Sequence, residues 1–183
     1  MSNTLVLTKM LHSCSLIKLE DNYNGKKVKL VENKTTNSFI EIHCVPPDTF
    51  VLDLDSAFNT EKLFNGKSGE CKRADYILIS ESAKRILFIE MKRSSSQAND
   101  IALQLRGALC AFEYFQIVAR EFFQENHFLN HYQKRFIAIL HTHGRKSQTA
   151  VSRSIENGIQ HSNPDNFLKI SGRQFIQFRQ LSN

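Results

Sequence analysis

Hydrophobic and polar positions alternate most regularly at residues 39–45. There Phe39-Ile40-Glu41-Ile42-His43 has the period of a half-buried strand, and Pro46-Pro47 ends it. Runs at 27–31 and 50–55 predict two further strands. Ahead of them, Leu5, Leu11, Leu16 and Ile17 could line a helix within residues 1–20, and Asp21-Asn22-Tyr23-Asn24-Gly25 reads as a turn. Ser56 can cap a short helix reaching Phe64, and Asn65-Gly66-Lys67-Ser68-Gly69 is a loop.

The middle of the chain is more definite. Apolar runs at 74–80 and 85–92, separated by Glu81-Ser82-Ala83-Lys84, predict an antiparallel hairpin. Ser94-Ser95-Ser96 offers N-cap hydroxyls for a long helix to about Gln124. Its apolar stripe is Ile101, Leu105, Ala108, Phe112, Phe115, Ala119 and Phe122, in steps of four and three. A buried strand follows at 135–141, then a polar, basic connection at 144–158, and strand candidates at 167–170 and 174–179. Strand, strand, long helix, strand predicts an α/β fold: a mixed β-sheet with flanking helices.

Length and charge narrow this only a little. A chain of 183 residues fits one domain spanning 1–183. At 41% hydrophobic and 23% charged, with 14 Phe for a core, it is neither disordered nor collagen-like nor a coiled coil. The net charge of +6 weakly favours a polyanionic partner. Cys14, Cys44, Cys71 and Cys110 form no CxxC pair, which suggests free, partly buried thiols in a reducing cytoplasm. Leu5-Val6-Leu7 with Lys9 behind it makes neither a signal nor a transit peptide. The most apolar later stretch, 107–119, carries Glu113 and Gln116 and is no membrane span. The expected location is cytoplasmic, with no membrane partner.

Three polar residues stand where an apolar strand pair does not normally accept them. Asp75 opens the run Tyr76-Ile77-Leu78-Ile79, while Glu90 and Lys92 end Ile86-Leu87-Phe88-Ile89 with Met91 between them. The strand period of two puts Glu90 and Lys92 on one face, and the apolar run suggests a central strand covered on both sides. A short hairpin turn would set Asp75 beside Glu90. Burying an acid and an amine there is costly unless both are paired or bind something. Two carboxylates with the Met91 carbonyl could hold a hard ion such as Mg²⁺ or Mn²⁺, and Lys92 could orient or deprotonate an attacking water or neutralise developing charge. The competing reading is an edge hairpin with a cross-strand ion pair.

Asp75, the Glu90-Met91-Lys92 triplet fifteen residues on, and the helix after it resemble the PD-(D/E)XK nuclease superfamily of restriction-type and repair-type nucleases. The resemblance covers roughly residues 56–141, leaving 1–55 and 142–183 as N-terminal and basic C-terminal strands outside it. It implies a restriction endonuclease-like core, metal binding by Asp75 and Glu90, and assistance to the attacking water by Lys92. Several branches of that superfamily place a glutamine on the following helix, which Gln104 matches. Ala74 stands where the family often has proline. The family's upstream acid has no unique match: Glu61 is the first choice, Glu70 the second, and Asp53 and Asp55 remain open. Glu70 would need a bulge to reach the Asp75 face. The family core would also place a strand before the Asp-bearing one, for which residues 65–73 leave little room.

Lys72, Arg73 and Arg93 flank the cluster and could contact phosphates, as could Arg106 on the helix and Arg145 and Lys146 beyond it. Gly107 inside the helix suggests a close approach to the sheet. The pairs His127/His131 and His141/His143 lack a metal-site context, and no phosphate loop or nucleophile elbow is present. The expected function is a Mg²⁺-dependent phosphodiesterase acting on DNA, with RNA as the alternative. The competing expectation is a non-catalytic nucleic-acid-binding or assembly module with a nuclease-like fold. A homodimer or a targeting protein would be a natural further partner for so small a chain.

Overall fold

The computed structural model describes residues 2–23, 25–32, 38–92, 97–140 and 161–183. In chain order the elements are α1 (Asn3–Met10), β1 (Leu16–Ile17), β2 (Glu20–Asn22), β3 (Gly25–Val31), β4 (Phe39–Val45), β5 (Thr49–Asp53) and α2 (Leu54–Ala57). Then come β6 (Tyr76–Ser80), β7 (Arg85–Lys92), α3 (Ala98–Phe123), β8 (Gln133–Leu140), β9 (Leu168–Ser171), β10 (Phe175–Gln177) and α4 (Phe178–Ser182). The fold is mixed α/β, with two mixed sheets.

The longest apolar run lies inside the larger sheet, as its composition demands. β7 is flanked by β6, antiparallel, and β8, parallel, in the order β1-β5-β6-β7-β8-β9. Every residue of β7 between its two termini is buried, so both faces of this strand are covered. On one face Ile77, Ile79, Ile86 and Phe88 pack under Leu105, Ala108 and Phe112 of α3 and against Val6 and Leu7 of α1. Phe88 stacks on Phe136 at 4.7 Å and meets Phe112 edge-on at 5.9 Å; such pairs add about 1 kcal/mol each beyond the area they bury. On the other face Leu78, Leu87, Ile89 and Met91 pack on Val28, Leu30, Ile40 and Ile42. Those four belong to a second sheet, ordered β10-β4-β3-β2.

Several boundaries differ from the sequence reading. β5 stops at Asp53 because its carboxylate accepts the Ser56 amide at 3.1 Å; Asp53, not Ser56, is the cap, and the helix ends at Ala57. Residues 58–73 contain no strand. The N-terminal segment is α1, a short 3-10 turn and then β1 and β2, not one helix. Most of the expected stripe on α3 is covered, but Phe122 is 79% exposed because the helix outruns the sheet it packs on. Gln174 precedes β10, and the strand expected to reach Arg179 gives way to α4 at Phe178. The cysteines are free, but Cys14, Cys44 and Cys110 are exposed rather than partly buried. The serines 94–96, His141, His143 and the 144–158 connection lie outside the described residues. No helix among the described residues is long and apolar enough to cross a membrane.

Candidate active site

The hairpin register decides which polar groups meet. Tyr76 pairs with Ile89, so Asp75, one residue before β6, falls beside Glu90 and Met91 near the end of β7. The Asp75 Oδ2 accepts the Met91 N–H at 2.7 Å. Its main-chain carbonyl accepts the amides of Leu54 at 2.8 Å and Asp55 at 3.3 Å, which clamps the start of α2 onto the strand end. Glu90 and Lys92 share a face as the period of two requires: Lys92 Nζ lies 2.7 Å from Glu90 Oε1. Ile86 and Phe88, further back on that face, pack under α3. Glu90 is 1% exposed and Lys92 20%, so the acid is sealed while the amine reaches toward solvent.

The charges in this pocket are under-compensated. Burial first, then the charge of Asp75, pushes the Glu90 carboxyl up to about 8, against the pull of Lys92. Burial likewise raises Asp75 to about 6, opposed by the Met91 amide and reinforced by the charge of Asp55. For Lys92, burial alone would lower the pKa, but Glu90 and Asp75 more than reverse it and hold the amine above its ordinary value. One ammonium group therefore serves two carboxylates. Three buried acceptor oxygens, Glu90 Oε2, Gln104 Oε1 and Glu32 Oε2, have no hydrogen-bond partner. Native proteins leave few such atoms unpaired, because each costs about 1–3 kcal/mol.

The neighbours are brought in by specific contacts. Arg73, nearly buried, binds the Asp55 carboxylate at 3.1 Å and the Asp55 carbonyl. Lys72 pairs with Asp100 at 2.5 Å in the first turn of α3, and Asp100 in turn acts on Lys92. Gln104 stands one turn after Asp100 on the same side of α3. Gly107 permits this whole arrangement: a Cβ there would lie 1.7 Å from the Lys72 carbonyl oxygen. The close approach expected of Gly107 is thus to the segment entering β6 rather than to a strand.

Other expected site residues stand elsewhere or in other roles. Glu61 is exposed in a turn, with its amide on Asn59, and has no contact with the cluster. Glu70 is exposed and accepts the amides of Gly66 and Ser68, so it organises its own loop. Among the upstream acids considered, Asp55 is the one whose charge reaches Asp75, and it is held by Arg73. Met91, whose carbonyl is the ligand expected from the sequence, stands beside Asp75, to which it donates its N–H, and its side chain packs between the sheets. Arg106 makes a two-pronged contact with Asp165 at 2.8 and 2.9 Å. Arg93, Arg145 and Lys146 lie outside the described residues.

Glu32 was not anticipated, although its signal is in the sequence. Val28 and Leu30 face the core from β3, and a strand continued by two residues carries Glu32 to the same face. β3 ends at Val31, so the face of Glu32, one residue past the strand, does not follow from the strand pattern alone. Among the described residues, no three His, Cys, Asp or Glu side chains converge closely enough to cage a metal ion by themselves. The donor set is instead two adjacent carboxylates, of which Glu90 has an unpaired oxygen, and so few protein ligands would suit an ion that keeps much of its water, as Mg²⁺ does. Comparison with protein-family models, curated proteins and solved structures finds no match to this chain.

Proposed function

We propose that this chain is a metal-dependent nuclease of the PD-(D/E)XK type, with a restriction endonuclease-like core, hydrolysing phosphodiester bonds of DNA or, alternatively, RNA. The observation that carries the reading is the pair Asp75 and Glu90: adjacent carboxyls, both raised in pKa, with Glu90 sealed from solvent and its Oε2 left without a donor. Two such carboxylates destabilise the fold unless a cation completes them, and a bound cation would reverse both shifts. Mg²⁺ or Mn²⁺ held there would supply a polarised phosphoryl oxygen and a more acidic water.

Each residue of the chain then has a distinct task. Asp75 and Glu90 hold the ion, and the Met91 amide fixes the Asp75 carboxylate in place. Lys92, with its pKa raised, keeps its proton at neutral pH. It therefore orients water and neutralises the charge that develops on the phosphorane, rather than acting as the base. Gln104, whose Oε1 is buried without a partner, would add a polar group from α3. Arg73 and Lys72 hold the segment entering β6 through Asp55 and Asp100.

The test is cleavage of single- and double-stranded DNA and RNA with Mg²⁺ or Mn²⁺ by wild type, Asp75→Ala, Glu90→Ala and Lys92→Ala. Cation-dependent cleavage by wild type alone is the expected result. Equal cleavage by wild type and Glu90→Ala overturns the assignment. Salt-sensitive binding by all four proteins with no cleavage by any of them leaves the non-catalytic nucleic-acid-binding module standing instead.

A further inference from the structure

The second sheet reaches the Asp75/Glu90 cluster through the end of β3. Tyr76, the residue after Asp75, passes its ring between the sheets, and its hydroxyl both donates to the Val31 carbonyl and accepts the Val31 N–H. That double contact pins the last residue of β3 beside the start of β6. The next residue is Glu32, whose amide is bound to the Ser38 carbonyl at 2.9 Å. Its position continues the inward row of Val28 and Leu30.

An acid at the end of an apolar row has no packing reason to be there. Its Oε2 is buried and has no hydrogen-bond partner, although a carboxylate at a sheet end could readily turn toward solvent. Its charge also reaches Asp75, adding to the crowding of negative groups at one spot. Like charges without a counter-ion oppose folding, whereas a hydrated cation between them would offset that repulsion.

We propose that Glu32 is a positioning residue of the same site, accepting hydrogen bonds from the water shell of the divalent cation held by Asp75 and Glu90. This rests on the reading of those two residues as a cation site. It gives the second sheet a role: β3 closes the site from the side opposite α3. Among the described residues no three acids or histidines cage an ion directly, and a carboxylate acting through water is what a small, strongly hydrated ion can use.

The experiment is Mn²⁺ binding to the full chain, without substrate, by calorimetry, for wild type, Glu32→Gln and Glu61→Gln, beside denaturant unfolding of each in EDTA. Glu32→Gln keeps the size of the side chain and removes the charge. Expected are a 10- to 100-fold weaker Mn²⁺ affinity in Glu32→Gln, as is typical for outer-shell partners, and an unchanged affinity in Glu61→Gln. Unfolding in EDTA should show Glu32→Gln at least as stable as wild type, because an unpaired buried charge has been removed. Equal Mn²⁺ affinity in wild type and Glu32→Gln overturns the role of Glu32 and leaves the Asp75/Glu90 site intact. Loss of stability in EDTA with unchanged affinity makes Glu32 merely structural. Failure of wild type to bind Mn²⁺ defeats the cation site itself, and Glu32 with it.

Discussion

The β6–β7 hairpin has two polar ends, and they are built on opposite principles. At the turn, Asp48 accepts the Ser82 amide at 2.7 Å and the hydroxyls of Ser80 and Ser82. Lys84 binds Glu81 at 2.5 Å and the Tyr132 hydroxyl, which also receives Asn3 from α1. Each charge there has partners within the protein. At the other end Asp75 and Glu90 lie side by side with one lysine between them and solvent, and Glu90 keeps an unpaired acceptor oxygen. The same two strands thus carry a finished structural cluster and an unfinished one. A polar cluster that is complete stabilises a fold, whereas one that lacks its counter-charge costs the fold stability, a cost the proposed cation would offset.

Removing the side chains of the unfinished end should have the largest effect. Asp75→Asn and Glu90→Gln should each lower cation-dependent cleavage by about 10³-fold or more, read as kcat on a labelled oligonucleotide. Both should retain or gain stability in EDTA. A stability loss matching the activity loss would make the two ends alike.

Gly107→Ala should come next. Its Cβ would press into the Lys72 carbonyl, and backbone cannot move aside as a side-chain tip can. We expect a loss of about 3 kcal/mol in denaturant unfolding, at the upper end of overpacking costs. Cleavage should fall as well, because Lys72 and Arg73 lead directly into Asp75.

The finished end should answer in the opposite sense. Asp48→Ala leaves Ser80 and Ser82 without their acceptor and should cost about 1–3 kcal/mol of stability, read as a lowered denaturant midpoint. The kcat of the folded fraction should not change.

A smaller effect, but the more specific one, is the pH dependence of the cation-free protein. Unfolded, Glu90 releases its proton near 4.5; folded, it keeps it to about 8. Asp75 does the same between 3.8 and about 6. Across those windows the unfolded chain binds fewer protons, so stability falls as pH rises, by at most about 1.4 kcal/mol per unit for each group. Unfolding in EDTA should therefore be easier at pH 8 than at pH 5, and Glu90→Gln should flatten the slope between pH 6 and 8. Cation affinity should rise over the same range, since binding displaces the proton.

Much of this end of the molecule was legible from the chain. The hairpin, the long helix and the shared face of Glu90 and Lys92 follow from periodicity, and the structure places them within a residue or two. What periodicity could not reveal lies where a short tertiary contact overrides a local preference. Ser56 looks like a cap, but Asp53, held at the end of β5, takes that role first. Glu61 has suitable spacing on paper, yet its turn points to solvent. Glu32 comes from 43 residues upstream of Asp75 in the sequence, and its charge reaches Asp75 because Tyr76 ties β3 to the start of β6 across two sheets.

The most direct test of the contrast between the two ends is unfolding at pH 8 with increasing Mg²⁺ for wild type, Glu90→Gln and Glu81→Gln. Binding to the folded state alone adds about 2.7 kcal/mol at a concentration one hundred times the dissociation constant. The account predicts that increment for wild type and for Glu81→Gln, whose basal stability is lower, and its loss in Glu90→Gln. No Mg²⁺ increment in wild type, or an equal one in Glu90→Gln, would contradict it.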